Sequence, residues 1–367
     1  MARAPWTESD KRYLRMACRL ARKAAGRTSP NPMVGALLVR GGRIVGKGYH
    51  RFAGGDHAEI AALKQAGPKA KGATLYITLE PCSHQGRTPP CARALIGAGI
   101  KSVVAGTTDP NPLVAGRGFA LLRRAGIEVR VGLLEEECRA LIEAFSKFII
   151  RRVPFVTLKL AASLDGKIAT ATGDARWISG EFSRVLVHRV RNEVDAVLVG
   201  AATVRADDPQ LTCRIPRGRN PLRVILDSRL RVPLSGQIFS QRDREKTVIA
   251  TTTKAPAARV RALESRGVRV WRLPARHGRV AWRPLLKKLA SVGVVSVMIE
   301  GGAAVAASAL KEKIVDKVWF FYAPKIFGGD GRPMVDSLDV RQVSQALAVK
   351  RVEVRRSGGD ILVGGYL

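Results

Sequence analysis

The sequence predicts an α/β protein of two domains. Three observations carry that expectation: a length of 367 residues, an alternation of helical and strand-like apolar spacing that runs the whole chain, and a short charged, proline-marked stretch at Arg151, Arg152 and Pro154 between two such runs. At about 100 to 200 residues per domain, the length allows two or three units that each bury a core. The punctuation near Pro154 divides them into 1–150 and 151–367.

In the first half, apolar positions at helical spacing from Glu8 to Ala25 predict a helix, and Val34 to Tyr49 reads as two strands joined at Gly41 and Gly42. A helix from His57 to about Gln65 follows, then a strand from Thr74 to Leu79, a Cys/Pro loop, a helix opening at Cys91 and a strand from Ser102 to Gly106. Helical spacing over Phe119–Ala125, a strand over Glu128–Gly132 and one helix over Glu135–Phe148 complete a sheet with helices on its faces. Beyond the boundary, strands are expected at Phe155–Ala162, Ala196–Ala201, Arg223–Asp227, Thr247–Thr251, Arg269–Leu273, Val294–Glu300 and Val315–Ala323, with helices between most of them. Ala348–Asp360 and Ile361–Leu367 read as a closing antiparallel pair, and no fixed-period repeat occurs.

Apolar residues at 46% and charged residues at 25% exclude wholesale disorder, collagen-like repeats and a pure coiled coil. Lys plus Arg number 63 against 30 Asp plus Glu, a formal charge of +33, which points to anionic partners without choosing among nucleic acid, lipid and phosphorylated metabolites. Five scattered cysteines, an odd number in a chain too large to need staples, suit a reducing compartment. The basic N-terminus lacks the apolar core of a signal peptide, and the longest apolar stretch, Val294 to Leu310, is interrupted by Glu300, Gly301 and Gly302. The expectation is a soluble cytoplasmic protein.

The chemistry concentrates first in His57-Ala58-Glu59 and in the run from Pro81 through Cys82 to Cys91. One imidazole and two thiolates supply three zinc ligands and leave a fourth position open, as catalytic rather than structural zinc requires. Glu59 lies two residues from His57, off its helical face, so it suits proton transfer beside the metal better than ligation. Zinc deaminases carry H-x-E followed by P-C-x-x-C. Here the order is the same, but the second cysteine lies at 91, nine positions after Cys82.

At TSPNPMVGALLV, HAEIAAL, TLEPCSHQGRTPPC and DPNPLVAGRG the chain resembles the deaminase half of the bifunctional riboflavin-biosynthesis deaminase/reductases, which the long insert between the cysteines separates from tRNA and polynucleotide deaminases. The resemblance implies a cytidine-deaminase-like α/β/α domain with zinc on His57, Cys82 and Cys91, Glu59 as proton shuttle, and Asn31, His50, His84 and Arg87 lining the substrate pocket. Ala36 departs from relatives that carry cysteine there, outside the ligand set. An aminopyrimidine needs amide or imidazole partners, and a ribosyl phosphate needs a cation such as Arg87.

In the second half, Ile299-Glu300-Gly301-Gly302 ends a strand and opens a helix, where bare backbone N–H groups can hold a phosphate. No dinucleotide-binding G-x-G-x-x-G fingerprint accompanies it. VTLKLAASLDGKIA, GDARWIS, GAATVRADDPQLTCR, VILDSRLR and VMIEGGAAVAASAL look like the reductase half of the same family, whose fold is similar to dihydrofolate reductase. That resemblance implies NADPH binding by Ala161, Trp177, Thr203, Asp207, Ser228, Gly302, Ala303, Ala304, Val305, Ala306, Ala307 and Ser308. It implies substrate contacts by Ala175, Arg191, Leu211, Arg214 and Glu300, with Ala175 standing where relatives commonly carry a hydroxyl. Lys159 and Asp207 are the polar candidates for handling charge at the reacting sugar carbon.

The expected function is therefore zinc-dependent removal of an amino group from a phosphoribosylated diaminopyrimidinone, then NADPH reduction of the ribosyl chain to ribityl, in a homo-oligomer with no specific nucleic-acid partner and no membrane partner. An RNA deaminase of the tRNA type with an accessory domain is the competing enzyme reading. A basic nucleic-acid-binding protein is the non-catalytic one, opposed by the absence of a recognisable motif and by only 5% aromatic residues.

Overall fold

The computed structural model describes residues 5–83 and 90–367. The chain separates into two compact units, Met1–Arg152 and Val153–Leu367.

The first unit opens with α1 (Glu8–Arg22), started by a reciprocal capping box in which Thr7 and Asp10 bond each other's backbone N–H. The hairpin of β1 (Gly35–Arg40) and β2 (Arg43–Tyr49) turns at Gly41 and Gly42, whose φ of 55° and 74° are the left-handed values that a tight hairpin needs. Next come α2 (Ala58–Ala66), β3 (Thr74–Leu79), α3 (Cys91–Gly97), β4 (Ser102–Thr107), α4 (Arg117–Arg124) and β5 (Glu128–Val131). The sheet order is β2-β1-β3-β4-β5, with β3, β4 and β5 parallel. Alternation sorts the strand residues between two faces. Ala36, Leu38, Leu75, Ile77 and Val103 pack with residues of α2, α3 and α4, while Leu37, Val39, Tyr76 and Val104 pack with α1.

The single helix expected over Glu135–Phe148 is two, α5 (Glu135–Leu141) and α6 (Glu143–Arg151). Ile142 leaves helical geometry at φ −118°, ψ 14° and is buried in the α1-side core, so burial of one side chain wins over continuous helix. Alanine-rich α2 lies tight on β2: a Cβ at Gly48 would sit 2.3 Å from the Ala58 carbonyl oxygen. That contact sets the start of α2, where His57 and Glu59 stand.

The second unit runs β6 (Phe155–Ser163), β7 (Lys167–Ala169), α7 (Glu181–Glu193), β8 (Ala196–Gly200), α8 (Ala201–Asp207), β9 (Leu222–Leu226), β10 (Thr247–Thr252), α9 (Ala257–Glu264) and β11 (Arg269–Leu273). It continues through the small hairpin β12 (Ala275–Arg276) and β13 (Arg279–Val280), then α10 (Trp282–Ser291), β14 (Ser296–Glu300), α11 (Ala303–Lys311), β15 (Lys317–Ala323), β16 (Arg332–Pro333), β17 (Lys350–Ser357) and β18 (Asp360–Tyr366). Nine strands form one sheet in the order β11-β10-β9-β8-β14-β6-β15-β18-β17. The run from β11 to β15 is parallel, and β18 and β17 close it antiparallel, as the terminal sequence pair predicts. Val156, Leu158, Leu198, Val224 and Ile299 bury one face with α10 and α11, and Val197, Val199, Ile225, Ile249 and Met298 bury the other. Among the described residues no helix is long and apolar enough to cross a membrane.

Candidate active sites

In the first unit, His57 immediately precedes α2 in extended conformation and its side chain makes no capping bond, so the imidazole is available. Cys82 follows the end of β3 and Cys91 opens α3. These elements bring His57 Nδ1 within 3.2 Å of Cys91 Sγ and 3.7 Å of Cys82 Sγ, and all three potential ligand atoms lie within 4.8 Å of one another. The donor set fits zinc: two soft sulfurs and an imidazole, with no fourth His, Cys or carboxylate in the cluster among the described residues. The sulfurs themselves favour a cation. The hydrogen bond from Cys91 draws Cys82 down to about 4, while the same contact pushes Cys91 up, so without a cation only one of them ionises.

Glu59, in the first turn of α2, is 4% exposed, and burial pushes its carboxyl up to about 7. His50 donates from Nδ1 to the Asp56 carbonyl at 3.0 Å, which leaves Nε2 to accept from the Asn31 amide at 3.1 Å. Burial keeps the His50 ring neutral by lowering its pKa, and the ring stands edge-on to His57 with centroids 5.4 Å apart. Asn31, His50, His57 and Glu59 thus converge. His84 and Arg87 lie outside the described residues.

The sequence reading missed Glu80. Buried at the end of β3, its Oε2 accepts from the backbone N–H groups of Asp109 at 3.2 Å and Gly116 at 2.9 Å, and its Oε1 from Gly118 at 2.9 Å and Phe119 at 3.3 Å. It clamps the Pro81-Cys82 turn to the DPNPLVAGRG loop, and Gly118 closes the joint, since a Cβ there would fall 2.0 Å from the Pro81 carbonyl oxygen. Glu80→Ala orphans several buried donors and is expected to cost the first unit about 2–4 kcal/mol and to weaken metal retention. Thermal unfolding with metal analysis checks this, and unchanged values for both would remove Glu80 from the site's framework.

In the second unit a cavity of about 580 Å³ opens at the carboxyl ends of the central strands. It gathers Lys159, Ala161, Ala175, Trp177, Arg191, Thr203, Asp207, Leu211, Arg214, Glu300, Gly302 and Ala303. Parallel pairing of β14 and β6 puts Glu300 in register with Lys159. Arg191, from α7, grips Glu300 with Nε to Oε1 and NH2 to Oε2, each at 2.7 Å. Burial works to raise Glu300, but the Arg191 charge and hydrogen bonds, helped by Lys159, hold it below its ordinary value. Burial lowers Lys159 and raises Asp207.

Ser228, Ala304, Val305 and Ser308 line an adjoining pocket of about 390 Å³ instead, and Ala307 faces a third. Ala306 is directed into the core, with its N–H committed to the Gly302 carbonyl. His188, also missed, sits one turn before Arg191 on α7, within 3.2 Å of both the backbone N and Nε of Arg214. Burial, then Arg191 and Arg214, lower it to about 4, so it is neutral near pH 7 and can accept from a guanidinium. The His188/Arg191 spacing of three was the readable signal.

A half-buried His/Cys/Cys cluster with an adjacent buried carboxyl on an α/β/α unit, in a chain whose other unit has a mostly parallel sheet with a lysine–carboxylate cavity, defines a zinc deaminase fused to a reductase. Residues 7–107 match the family model of the cytidine and deoxycytidylate deaminase zinc-binding region, and residues 154–363 match that of the RibD C-terminal domain. The chain is 47% identical to riboflavin biosynthesis protein RibD of Aquifex aeolicus (strain VF5) over 357 residues, 97% of this chain and 98% of that one. It is 39% identical to RibD of Escherichia coli (strain K12) over 369 residues, 96% of this chain and 98% of that one. Among solved structures, Acinetobacter baumannii RibD (form 1) superposes with a TM-score of 0.87 at 37% identity, covering 98% of this chain and 99% of that chain. The Thermotoga maritima diaminohydroxyphosphoribosylaminopyrimidine deaminase/5-amino-6-(5-phosphoribosylamino)uracil reductase does so with 0.85 at 40%, covering 98% of each.

The chain belongs to the RibD family. It is a bifunctional deaminase and reductase of riboflavin biosynthesis that acts on a phosphorylated substrate, with zinc and NADPH as cofactors.

Proposed function

We propose that residues 1–150 deaminate 2,5-diamino-6-(5-phosphoribosylamino)pyrimidin-4-one and that residues 151–367 then reduce the ribosyl chain to ribityl. The observation that carries the reading is the convergence of His57, Cys82 and Cys91 beside buried Glu59. His57, Cys82 and Cys91 would hold zinc, which when bound supplies the Lewis acidity that activates water for attack on the ring carbon that loses its amine. Glu59 moves the proton from the attacking water to the departing amine. Asn31 and His50 hold the pyrimidine edge, and the family resemblance supports substrate binding by His84 and by Arg87, with Arg87 at the phosphate.

In the reductase half, NADPH when bound supplies the hydride. Thr203, Trp177, Ala161, Asp207, Ser228, Gly302, Ala303, Ala304, Val305 and Ser308 hold it, with Gly302 at φ 87° letting backbone approach closely and Ala306 excluded by its place in the core. Arg191, Leu211, Arg214, Ala175 and Glu300 hold the substrate, and Lys159 holds or moves the proton at the sugar oxygen as the ring opens. The test is turnover by the intact chain. With one zinc per chain and no NADPH, the deaminated ribosyl product should accumulate, and adding NADPH should convert it to the ribityl product. Ribityl formation without prior deamination would overturn the order.

A homo-oligomer is supported by edge strand β17, whose Val352 and Val354 are 54% and 66% exposed on an uncapped sheet edge. A monomeric mass by light scattering would dismiss it. The basic surface serves phosphorylated ligands rather than a specific nucleic acid, and tight, sequence-selective RNA binding at about 0.15 M salt would overturn that. Five free cysteines suit the cytoplasm, which cell fractionation tests.

A further inference from the structure

In the reductase cavity two arginines are held in two different ways. Arg191 is gripped by the Glu300 carboxylate through two bonds of 2.7 Å, so its charge is compensated within the protein. Arg214 is not. Among the described residues no carboxylate pairs with it, and the group that meets its side chain is the imidazole of His188, with Nε2 3.2 Å from Arg214 Nε. His188 and Arg214 both line the cavity that holds Lys159 and Glu300.

His188 belongs to a short seam of contacts. The chain from 208 to 221, between α8 and β9, contains neither helix nor strand, so its course is set by what it touches. One turn of α7 meets three consecutive residues of it. Arg191 NH1 donates to the Thr212 carbonyl at 3.1 Å, and Cys213 Sγ donates to the His188 carbonyl at 3.4 Å. The His188 ring then lies 3.2 Å from both the backbone N and Nε of Arg214. Burial, then Arg191 and Arg214, lower the ring's pKa to about 4, so it is neutral near pH 7. A neutral imidazole offers one lone pair to an N–H donor, and whichever donor of Arg214 takes it ties that residue to α7.

The neutrality of the acceptor decides what Arg214 can do. A carboxylate in place of His188 would hold the guanidinium as firmly but would cancel its charge, as Glu300 does for Arg191. An imidazole fixes its direction and leaves the charge for a ligand. We propose that His188 is a positioning residue of the reductase, which holds the Arg214 guanidinium uncompensated in the cavity wall to receive the phosphate of the substrate. The inference rests on the reading that Arg214 contacts that substrate.

The test is steady-state reduction by the intact zinc-loaded chain at saturating NADPH, with the deaminated ribosyl phosphate and with the same compound lacking its phosphate. Arg214→Ala should raise KM for the phosphorylated substrate at least about tenfold and leave KM for the dephosphorylated compound within about twofold. His188→Ala should reproduce that selective loss at about fivefold or more, with the smaller effect in kcat. It should add nothing in an Arg214→Ala background, where no guanidinium is left to position. His188→Gln, which supplies a neutral acceptor, should recover most of the loss, whereas His188→Glu, of the same size but charged, should not. NADPH affinity equal to that of the wild type shows that each variant is folded. An Arg214→Ala enzyme with unchanged KM would sink the Arg214 reading and this proposal together. With Arg214→Ala impaired, four results would each sink the His188 assignment alone: an unimpaired His188→Ala, a loss shared equally by both compounds, effects of the two substitutions that add, or equal rescue by Gln and Glu.

Discussion

Cys82→Ser will purify with almost no zinc and with no measurable deamination, yet it will reduce the pre-deaminated substrate at the wild-type rate. Serine hydroxyl does not ionise near neutral pH and is a hard donor, so it cannot replace the thiolate that contact with Cys91 already favours at Cys82. With His57 and Cys91 alone, two ligands remain where an open catalytic site needs three. Glu59→Gln separates ligation from proton transfer: zinc stays near one per chain, and deamination falls by about 10²–10⁴. Metal analysis beside the two activities reads out both variants. Full zinc occupancy in Cys82→Ser would show that the metal is held elsewhere. A Glu59→Gln variant with wild-type turnover would assign the proton to another group, and loss of reductase activity in a folded Cys82→Ser protein would show that the units do not work independently.

How much of this was legible depended on what each residue's partners are. His57, Glu59, Cys82 and Cys91 could be read because zinc chemistry restricts ligand types and the chain order is itself diagnostic. Glu80 stands two residues from Cys82 and went unread: its partners are backbone N–H groups of Asp109, Gly116, Gly118 and Phe119, which carry no sequence signature. Strand and helix periodicity gave both sheets, including the closing antiparallel pair, because buried alternation is a property of consecutive residues. The break at Ile142 depends on a core assembled from α1, β1 and β4, distant in sequence, so continuous helical spacing concealed it. Two-residue strands such as β12 and β13 are shorter than any periodicity can register, and with them the wall they give the 390 Å³ pocket was invisible. The run 302–308 shows the same limit at one helix start: resemblance grouped seven residues, and only the fold separates those lining pockets from Ala306, which packs into the core.

Lys159→Met should lower ribosyl reduction by about 10²–10⁴ while leaving NADPH affinity within a few-fold and deamination intact. Methionine preserves most of the stem volume that lies near the Phe321 ring, where Nζ is 5.6 Å from the centroid, so the fold should tolerate it. What it removes is the ammonium held in register with Glu300 inside the cavity. The pH dependence carries the sign of that loss. Burial lowers the Lys159 pKa, and Glu300 opposes the shift, so the protonated form is the one lost as pH rises, and it is lost at lower pH than from an ordinary lysine. The wild-type reductase rate should therefore fall on the alkaline side through that lowered pKa, and the residual rate of Lys159→Met should lack this limb. Arg191 must stay paired with Glu300 for the comparison to be clean, because breaking a buried ion pair leaves one charge uncompensated at a cost of about 3–5 kcal/mol. For that reason Lys159, rather than Glu300, is the residue to change. A Lys159→Met enzyme with near-normal turnover and the same alkaline limb would move the proton-handling role elsewhere, and Asp207, which burial raises and which lines the same cavity, would be the next group to test.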